Sequence, residues 1–331
     1  MARFSSMFGP VFLALLVFSA NASGATVHIV HGFAGGSDGS HPGNSLLPGP
    51  DGILYGVTVT GGASGTCSRY KAGCGTVFSL ARDGTLSVLH SFGADGDGLY
   101  PTTLVRDGAG NLYGVTTNGG SSEGCPFPKG CGTLFKVTPD GTETVLHSFQ
   151  GGTDGSVPYG LDIDGTGNLY GVTGFGGFKI RERGFGTVFE MTADGTYSIL
   201  HAFQGGADGQ VPEGDLARDG AGNLYGVTSD AGIDNGMVFK LTPGGVKTTL
   251  YVFGTANSDG NSPSAGVIMD AAGNLYGTTG SGGASGHGTV FKVDPDGNES
   301  ILYSFPGGEG GAYPNSGLIL DPAGNLLGSV P

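Results

Sequence analysis

The chain has 331 residues, 70 of them glycine, about a fifth of the total against roughly 7% in average proteins. A hydrophobic content of 37% and a long glycine period exclude a disordered chain, and the absence of a Gly-X-Y run excludes collagen. With 14 basic against 28 acidic residues the net charge is −14, which argues against nucleic acid or an anionic membrane surface as partner.

The first 22 residues read as a secretory leader. Arg3 supplies the positive start, Val11–Phe18 a short apolar run, and Ala20-Asn21-Ala22 a small-x-small cleavage site. An uncleaved anchor is the alternative, but the apolar run is well short of the ~20 residues a spanning helix needs. Residues 1–22 are therefore expected to be removed, and residues 23–331 to form one secreted domain, extracellular or periplasmic. No later segment is apolar enough to insert in a membrane, no apolar tail precedes Pro331, and a monomer is expected.

Three marks then repeat along the chain. Asn-Leu-Tyr-Gly or a close copy has its third position at Tyr55, Tyr113, Tyr170, Tyr225, Tyr276 and Leu327, a period of 51 to 58 residues. Gly-Thr-Val-Phe or a near copy ends at Phe78, Phe135, Phe189, Phe239 and Phe291. A His/Tyr-x-Phe element ends at Phe33, Phe92, Phe149, Phe203, Phe253 and Phe305. The second mark leads the third by 14 residues in all five copies, so nearly all length variation falls between the first mark and the second.

Each unit predicts four short strands. In the second unit, strand a contains Leu104–Asp107, b is Asn111–Thr116, c is Thr133–Val137 and d is Thr144–Phe149. The a–b and c–d links, such as Asp107–Asn111 and Pro139-Asp140-Gly141, have hairpin chemistry. Neither alternate set in Leu112–Val115 is charged, as expected of a sheet covered on both faces. Four antiparallel strands repeated at this period predict an all-β protein, a β-propeller, in preference to a β-solenoid with its shorter coils. Five full units, one extra d strand at Thr26–Phe33 and extra a and b strands within Ser316–Val330 predict six blades, the last closed by both termini and lacking strand c.

The segments Gly49–Tyr55, Gly75-Thr76-Val77-Phe78 and Pro139-Asp140-Gly141 resemble the blade pattern of NHL and streptogramin-lyase propellers. The fuller pattern is similar to the GloVer-type extracellular tandem-repeat proteins over almost the whole mature chain. It comprises Gly73–Phe78, Thr138–Thr142, Leu146-His147-Ser148-Phe149 and Gly110–Thr116. That resemblance implies a bacterial secreted or surface-anchored repeat protein whose biochemical role the family leaves open. No catalytic residue is carried over from the lyases.

Candidate sites are sparse. His31, His90, His147 and His201 share one position on strand d, where Tyr251 and Tyr303 stand in later copies. A position that accepts imidazole or phenol reads as a packed ring with a polar tip. Asp38, Asp95, Asp97, Asp154, Asp208 and Asp259 lie in glycine-rich d–a links. Turn capping is the plainer reading, with calcium the only cofactor considered, through Asp38, Asp95, Asp154, Asp208 or Asp259. No nucleophile elbow, His-Glu-x-x-His or P-loop is expected, and the lack of tryptophan excludes a sialidase Asp box. An axial Asp/His site built from several blades, metal-dependent or not, would leave no local motif; a lyase or hydrolase is thus the alternative.

Cys67 and Cys74 flank one b–c loop, and Cys125 and Cys131 the same loop one unit later. In an exported chain the simplest pairing is Cys67–Cys74 and Cys125–Cys131, over a four-thiolate zinc site whose usual spacing these cysteines fit poorly. Three consecutive b–c loops also hold six of the 14 basic residues: Arg69 and Lys71, then Lys129, then Lys179, Arg181 and Arg183. Tyr70, Phe127 and Phe178 accompany them. Solvated loop charge is the bland reading. The sharper one is a binding module for an anionic polysaccharide or an acidic protein surface, carried on the face with the variable loops.

Overall fold

The computed structural model describes residues 30–329 apart from 44–45, 64–66, 68–72, 95, 123–124, 126–129, 178–183, 231–235, 255–258 and 322. Among these residues the chain is all-β, with only four single-turn 3-10 segments. The first sheet holds β1 (Ser40–Pro42), β2 (Leu47–Pro48), β3 (Leu54–Thr60), β4 (Thr76–Leu80) and β5 (Leu86–Ser91), with β1 and β2 as two pieces of strand a on β3. The second is β6 (Gly98–Arg106), β7 (Leu112–Gly119), β8 (Thr133–Val137) and β9 (Glu143–Ser148). The third is β10 (Ser156–Ile163), β11 (Leu169–Phe175), β12 (Thr187–Met191) and β13 (Tyr197–Ala202). The fourth is β14 (Gln210–Arg218), β15 (Leu224–Asp230), β16 (Met237–Leu241) and β17 (Lys247–Val252). The fifth is β18 (Gly260–Met269), β19 (Leu275–Gly282), β20 (Thr289–Val293) and β21 (Glu299–Ser304), followed by the pair β22 (Ile319–Leu320) and β23 (Leu326–Leu327). Within each set neighbours are antiparallel in sequence order; β14 and β18 also pair in parallel at Asp215 and Gly266, joining the fourth and fifth into one eight-stranded sheet, and consecutive sets contact each other.

The fixed 14-residue spacing has a packing cause. The strand d phenylalanine of one sheet meets the strand c phenylalanine of the next: Phe92 on Phe135, Phe149 on Phe189, Phe203 on Phe239 and Phe253 on Phe291. Their ring centroids are 5.0, 5.4, 5.4 and 4.9 Å apart. All eight rings are buried. In the first four sheets strand c is buried on both pleats except at one position, as Thr133–Val137 shows with only Lys136 part-exposed. The low charge content follows from this double cover.

Asn-Leu-Tyr is also explained. Asp107 closes the a–b hairpin by accepting from the Ala109 and Asn111 N–H groups, from Asn111 Nδ2 (2.7 Å) and from the Tyr113 hydroxyl (3.2 Å). Asp164, Asp219 and Asp270 do the same with Asn168 and Tyr170, Asn223 and Tyr225, and Asn274 and Tyr276. Partial burial works against these carboxylates, but the donated hydrogen bonds outweigh it and hold Asp164 down at about 2 and Asp107 and Asp219 below the usual range. For Asp270 the Asn274 side chain is the main cause of the same shift. A carboxylate depressed in the folded state contributes stability that is present above its unfolded value, near pH 4. That stability is lost as pH falls through the folded value. The urea midpoint is therefore expected to fall steeply between about pH 4 and pH 2, and Asp164→Asn should flatten that fall.

A second repeated pair links strands b and c. Thr58 meets Thr76, Thr116 meets Thr133, Thr173 meets Thr187 and Thr279 meets Thr289, each Oγ1···Oγ1 at 2.8 Å in a buried site. The fourth sheet places Met237 opposite Thr228, whose hydroxyl is buried without a partner. Thr116→Val is expected to cost about 1–3 kcal/mol by orphaning the Thr133 groups, whereas Thr228→Val should be neutral or stabilising. Chemical denaturation of the two variants checks this.

Candidate functional site

The b–c and d–a links emerge on one side. Gly62 N–H donates to Gly36 O (2.9 Å), Gly120 to Asp97 O (2.8 Å), Gly177 to Gly152 O (2.8 Å) and Gly283 to Asp259 O (2.7 Å), tying the base of four b–c loops to the preceding d–a link. Two of these loops are closed by disulfides, Cys67–Cys74 and Cys125–Cys131, the pairing expected from sequence. Arg69, Tyr70, Lys71, Phe127, Lys129, Phe178, Lys179, Arg181 and Arg183 lie outside the described residues, as do Asp95 and the leader. What is described is the frame from which their loops spring.

Strand a begins with an element that sequence reading passed over. His41, Tyr100, Val157, Val211, Ser262 and Tyr313 each precede a proline and each has φ between 53° and 63°. Left-handed backbone is strained in any non-glycine residue, most of all in β-branched valine, and a following proline disfavours it further. The strained residue reaches the neighbouring sheet: Tyr100 N–H donates to Cys74 O, Val157 to Cys131 O, Val211 to Phe185 O and Tyr313 to His287 O, at 2.8–2.9 Å. These acceptors immediately precede the Gly-Thr of strand c, so the disulfide cysteines stand at the seam between sheets. The sequence signal was the recurrent proline at 42, 101, 158, 212, 263 and 314.

Further along strand a the inner strands converge. Asp215 Oδ1 accepts from Thr103 Oγ1 (3.2 Å) of the second sheet and from Leu161 N–H (3.3 Å) of the third, while its backbone pairs with Gly266 of the fifth. Burial raises its pKa against these hydrogen bonds. Four sheets thus meet at one residue. A Cβ on Gly160 would stand 1.8 Å from Gly214 O, so backbone fills the space between these strands. Alongside, Arg218 pairs with Asp162 (3.0 Å), and Glu213, its pKa raised by burial, accepts from the Ser229 hydroxyl (3.2 Å). None of the side chains bonded to Asp215 is a histidine.

On the outer strands the d–a aspartates cap turns and also pair with the strand d rings. Asp38, Asp97, Asp154, Asp208 and Asp259 each accept a backbone N–H four or five residues upstream. Their carboxylates also face His31 (3.7 Å), His90 (3.3 Å), His147 (3.0 Å), His201 (3.1 Å) and the Tyr251 hydroxyl (2.9 Å). Each ring stands edge-on to its own strand d phenylalanine. Tyrosine can stand in for histidine here, as at 251, because either can donate to the aspartate.

The first residue of strand d in the following sheet differs from seam to seam. Tyr197 stacks on His147 with centroids 4.0 Å apart, and Lys247 Nζ lies 3.2 Å from Asp208. Glu143 joins His90 and Asp97, one donor atom from each lying within 4.8 Å of the others. Burial, reinforced by Asp97 and opposed by His90, pushes Glu143 up to about 7. Glu299, half-buried beside Asp259, is also pushed up to about 7 by desolvation, reinforced by Asp259.

One correction concerns the nucleophile elbow. Gly35-Gly36-Ser37-Asp38-Gly39 and Gly120-Ser121-Ser122-Glu123-Gly124 both spell Gly-x-Ser-x-Gly. The first is a d–a turn closed by Gly35 N–H to Gly39 O that runs into β1, and the second follows β7 in a b–c loop partly outside the described residues, whereas the elbow requires a strand-to-helix turn.

Similar solved structures share the architecture. A streptogramin B lyase aligns with TM-score 0.54 at 16% identity, over 88% of this chain and 83% of that one. Virginiamycin B lyase from Staphylococcus aureus aligns with TM-score 0.53 at 13% identity, over 88% and 84%. A gluconolactonase from Xanthomonas campestris aligns with TM-score 0.51 at 16% identity, over 85% and 80%. At such identities the likeness shows the fold alone, a β-propeller. No curated protein matches the sequence. The Gloeobacter/Verrucomicrobia repeat pattern matches residues 16–177 and 126–331, and the chain therefore belongs to that repeat family.

Proposed function

We propose that this is a secreted, non-enzymatic propeller protein that binds an anionic polysaccharide or an acidic protein surface through its b–c loops. The observation that carries the reading is the common anchoring of these loops. Three of them, from three adjacent sheets and holding six of the chain's 14 basic residues, are tied by equivalent hydrogen bonds to the same face. Long loops on a rigid frame are where binding residues concentrate. The two disulfides fit a chain outside the reducing cytoplasm, and the leader at residues 1–22 supports export to the periplasm or beyond.

The reading includes six blades. Val30–Phe33 sits against the first sheet as a strand d would: Phe33 packs on Phe78 with ring centroids 5.2 Å apart, and His31 faces Asp38. The β22–β23 pair supplies strands a and b of the same incomplete blade.

A lyase or hydrolase would need a free carboxylate and space near the axis. Asp215 is committed to two internal donors and glycine backbone fills its surroundings, which favours binding over catalysis. The test is a glycan and anionic-polymer array probed with residues 23–331 and with a Lys129→Ala/Arg181→Ala/Arg183→Ala variant. Retention by acidic polymers that the variant loses is the expected result. Equal retention by both, or polymer cleavage without retention, overturns the proposal.

A further inference from the structure

We propose that His90, Asp97 and Glu143 form a structural site for one divalent transition-metal ion of the zinc class, pinning the first sheet to the second. His90 lies on β5, Asp97 in the link from β5 to β6, and Glu143 at the start of β9. One imidazole nitrogen and two carboxylate oxygens suit zinc or manganese better than calcium, which prefers oxygen alone. His90 Nε2 and Asp97 Oδ2 are 3.3 Å apart, about the ligand–ligand edge of a tetrahedron with bonds of ~2.0 Å. Solvent would complete the coordination, since His90 keeps a fifth of its side-chain surface exposed.

Two independent observations point to a cation here. The first is Glu143 Oε1, buried with no hydrogen-bond partner although it sits beside a second carboxylate. Such a group needs a proton or a positive charge. The second is the protein's own solution at the equivalent seam two sheets later. There Lys247 replaces Glu143, and its side chain, only 7% exposed, places the ammonium 3.2 Å from Asp208, the counterpart of Asp97. A covalently attached cation thus fills the position that a metal ion would take between the first two sheets. The seam with Glu299 also has a buried, unpartnered Oε1, but offers the Tyr251 phenol in place of imidazole. Neutral phenol is a poor ligand, so one ion per chain is expected. On binding, both carboxylates ligate in their ionised form, and the imidazole proton sits on Nδ1 so that Nε2 can ligate.

The experiment uses untagged residues 23–331, freed of metal with a chelator and titrated with zinc chloride by calorimetry and thermal unfolding. One equivalent of zinc should bind with proton release, and the unfolding midpoint should rise on the order of 5 °C at a hundredfold excess over Kd. Glu143→Gln and His90→Tyr should each abolish that equivalent, and Glu299→Gln should leave it intact. The first is isosteric and the second copies the residue at 251, so both should fold. Glu143→Lys should raise the metal-free midpoint and remove its response to zinc. Zinc uptake unchanged in Glu143→Gln, loss in Glu299→Gln alone, or no uptake by the parent at 100-micromolar zinc, on the order of a generous ceiling for a structural site, overturns the proposal.

Discussion

Replacing Gly214 by alanine is expected to remove the soluble folded protein or destabilise it on the order of 4 kcal/mol or more. Gly214 lies on β14, where the inner strands of the third, fourth and fifth sheets meet, with φ at +71°. A Cβ there would stand 2.1 Å from Gly266 N and 2.2 Å from Ala265 C. Both are backbone atoms, so no rotamer change relieves the clash, and the strands must separate along the Asp215–Gly266 pairing. Separation would also withdraw Asp215 from Thr103 and Leu161, leaving buried polar groups unpaired. Gly206 provides the control. It is also left-handed, at +57°, but nothing lies within 4 Å of its Cβ position, so Gly206→Ala should cost only the conformational term of about 1–2 kcal/mol. Thermal and urea unfolding of the two variants separates contact from conformation. Equal losses would mean that the inner strands do not touch as described.

Strand order, hairpins and the location of length variation were legible because each has a local cause. Asp-x-x-Gly-Asn-Leu-Tyr spells its own hairpin, since Asp107, Asn111 and Tyr113 bond within seven residues. The 14-residue interval between Phe78 and Phe92 was equally visible. Its reason was not, because Phe92 packs on the next sheet and Phe78 on Phe33 before it, rather than on each other. The positive-φ residues before Pro101, Pro158 and Pro212 were missed for a related reason. Nothing in a tyrosine or valine announces left-handed backbone, and the carbonyl that holds it belongs to another sheet.

The seam chemistry divides in the same way. The strand d histidines and the d–a aspartates were each recognised as a repeat and read separately, one as packing and the other as turn capping. Seven residues separate His90 from Asp97, and the structure shows one paired unit. Glu143, Tyr197 and Lys247 could not be seen as members, because they occupy a single register position with three different chemistries. Only their common contact with the preceding His–Asp pair reveals the position. Asp215 was invisible for the opposite reason: its partners Thr103 and Leu161 stand 112 and 54 residues away.

Phe135→Ala is expected to cost about 3–5 kcal/mol, while Phe305→Ala should cost much less, on the order of 1 kcal/mol. The two residues belong to the two facing phenylalanine series, Phe135 to strand c and Phe305 to strand d, and differ in the neighbour packed against them. Phe135 is fully buried on β8, packed between its own sheet and Phe92 of the preceding one. Truncation there loses the transfer energy of the ring and opens a cavity that two rigid sheets cannot close. Phe305 comes directly after β21 and contacts Tyr303, and no strand c of a sixth sheet lies against it among the described residues. Its surroundings agree: Leu302 and Tyr303 are each 48% exposed, whereas their counterparts Leu89 and His90 are shielded by the second sheet. Urea denaturation with a constant m-value would give both losses directly. A large loss at Phe305 would mean that a surface beyond β21 covers it in solution, supplied by another segment of the chain or by a second molecule. A small loss at Phe135 would break the link between the 14-residue interval and the packing of one sheet on the next.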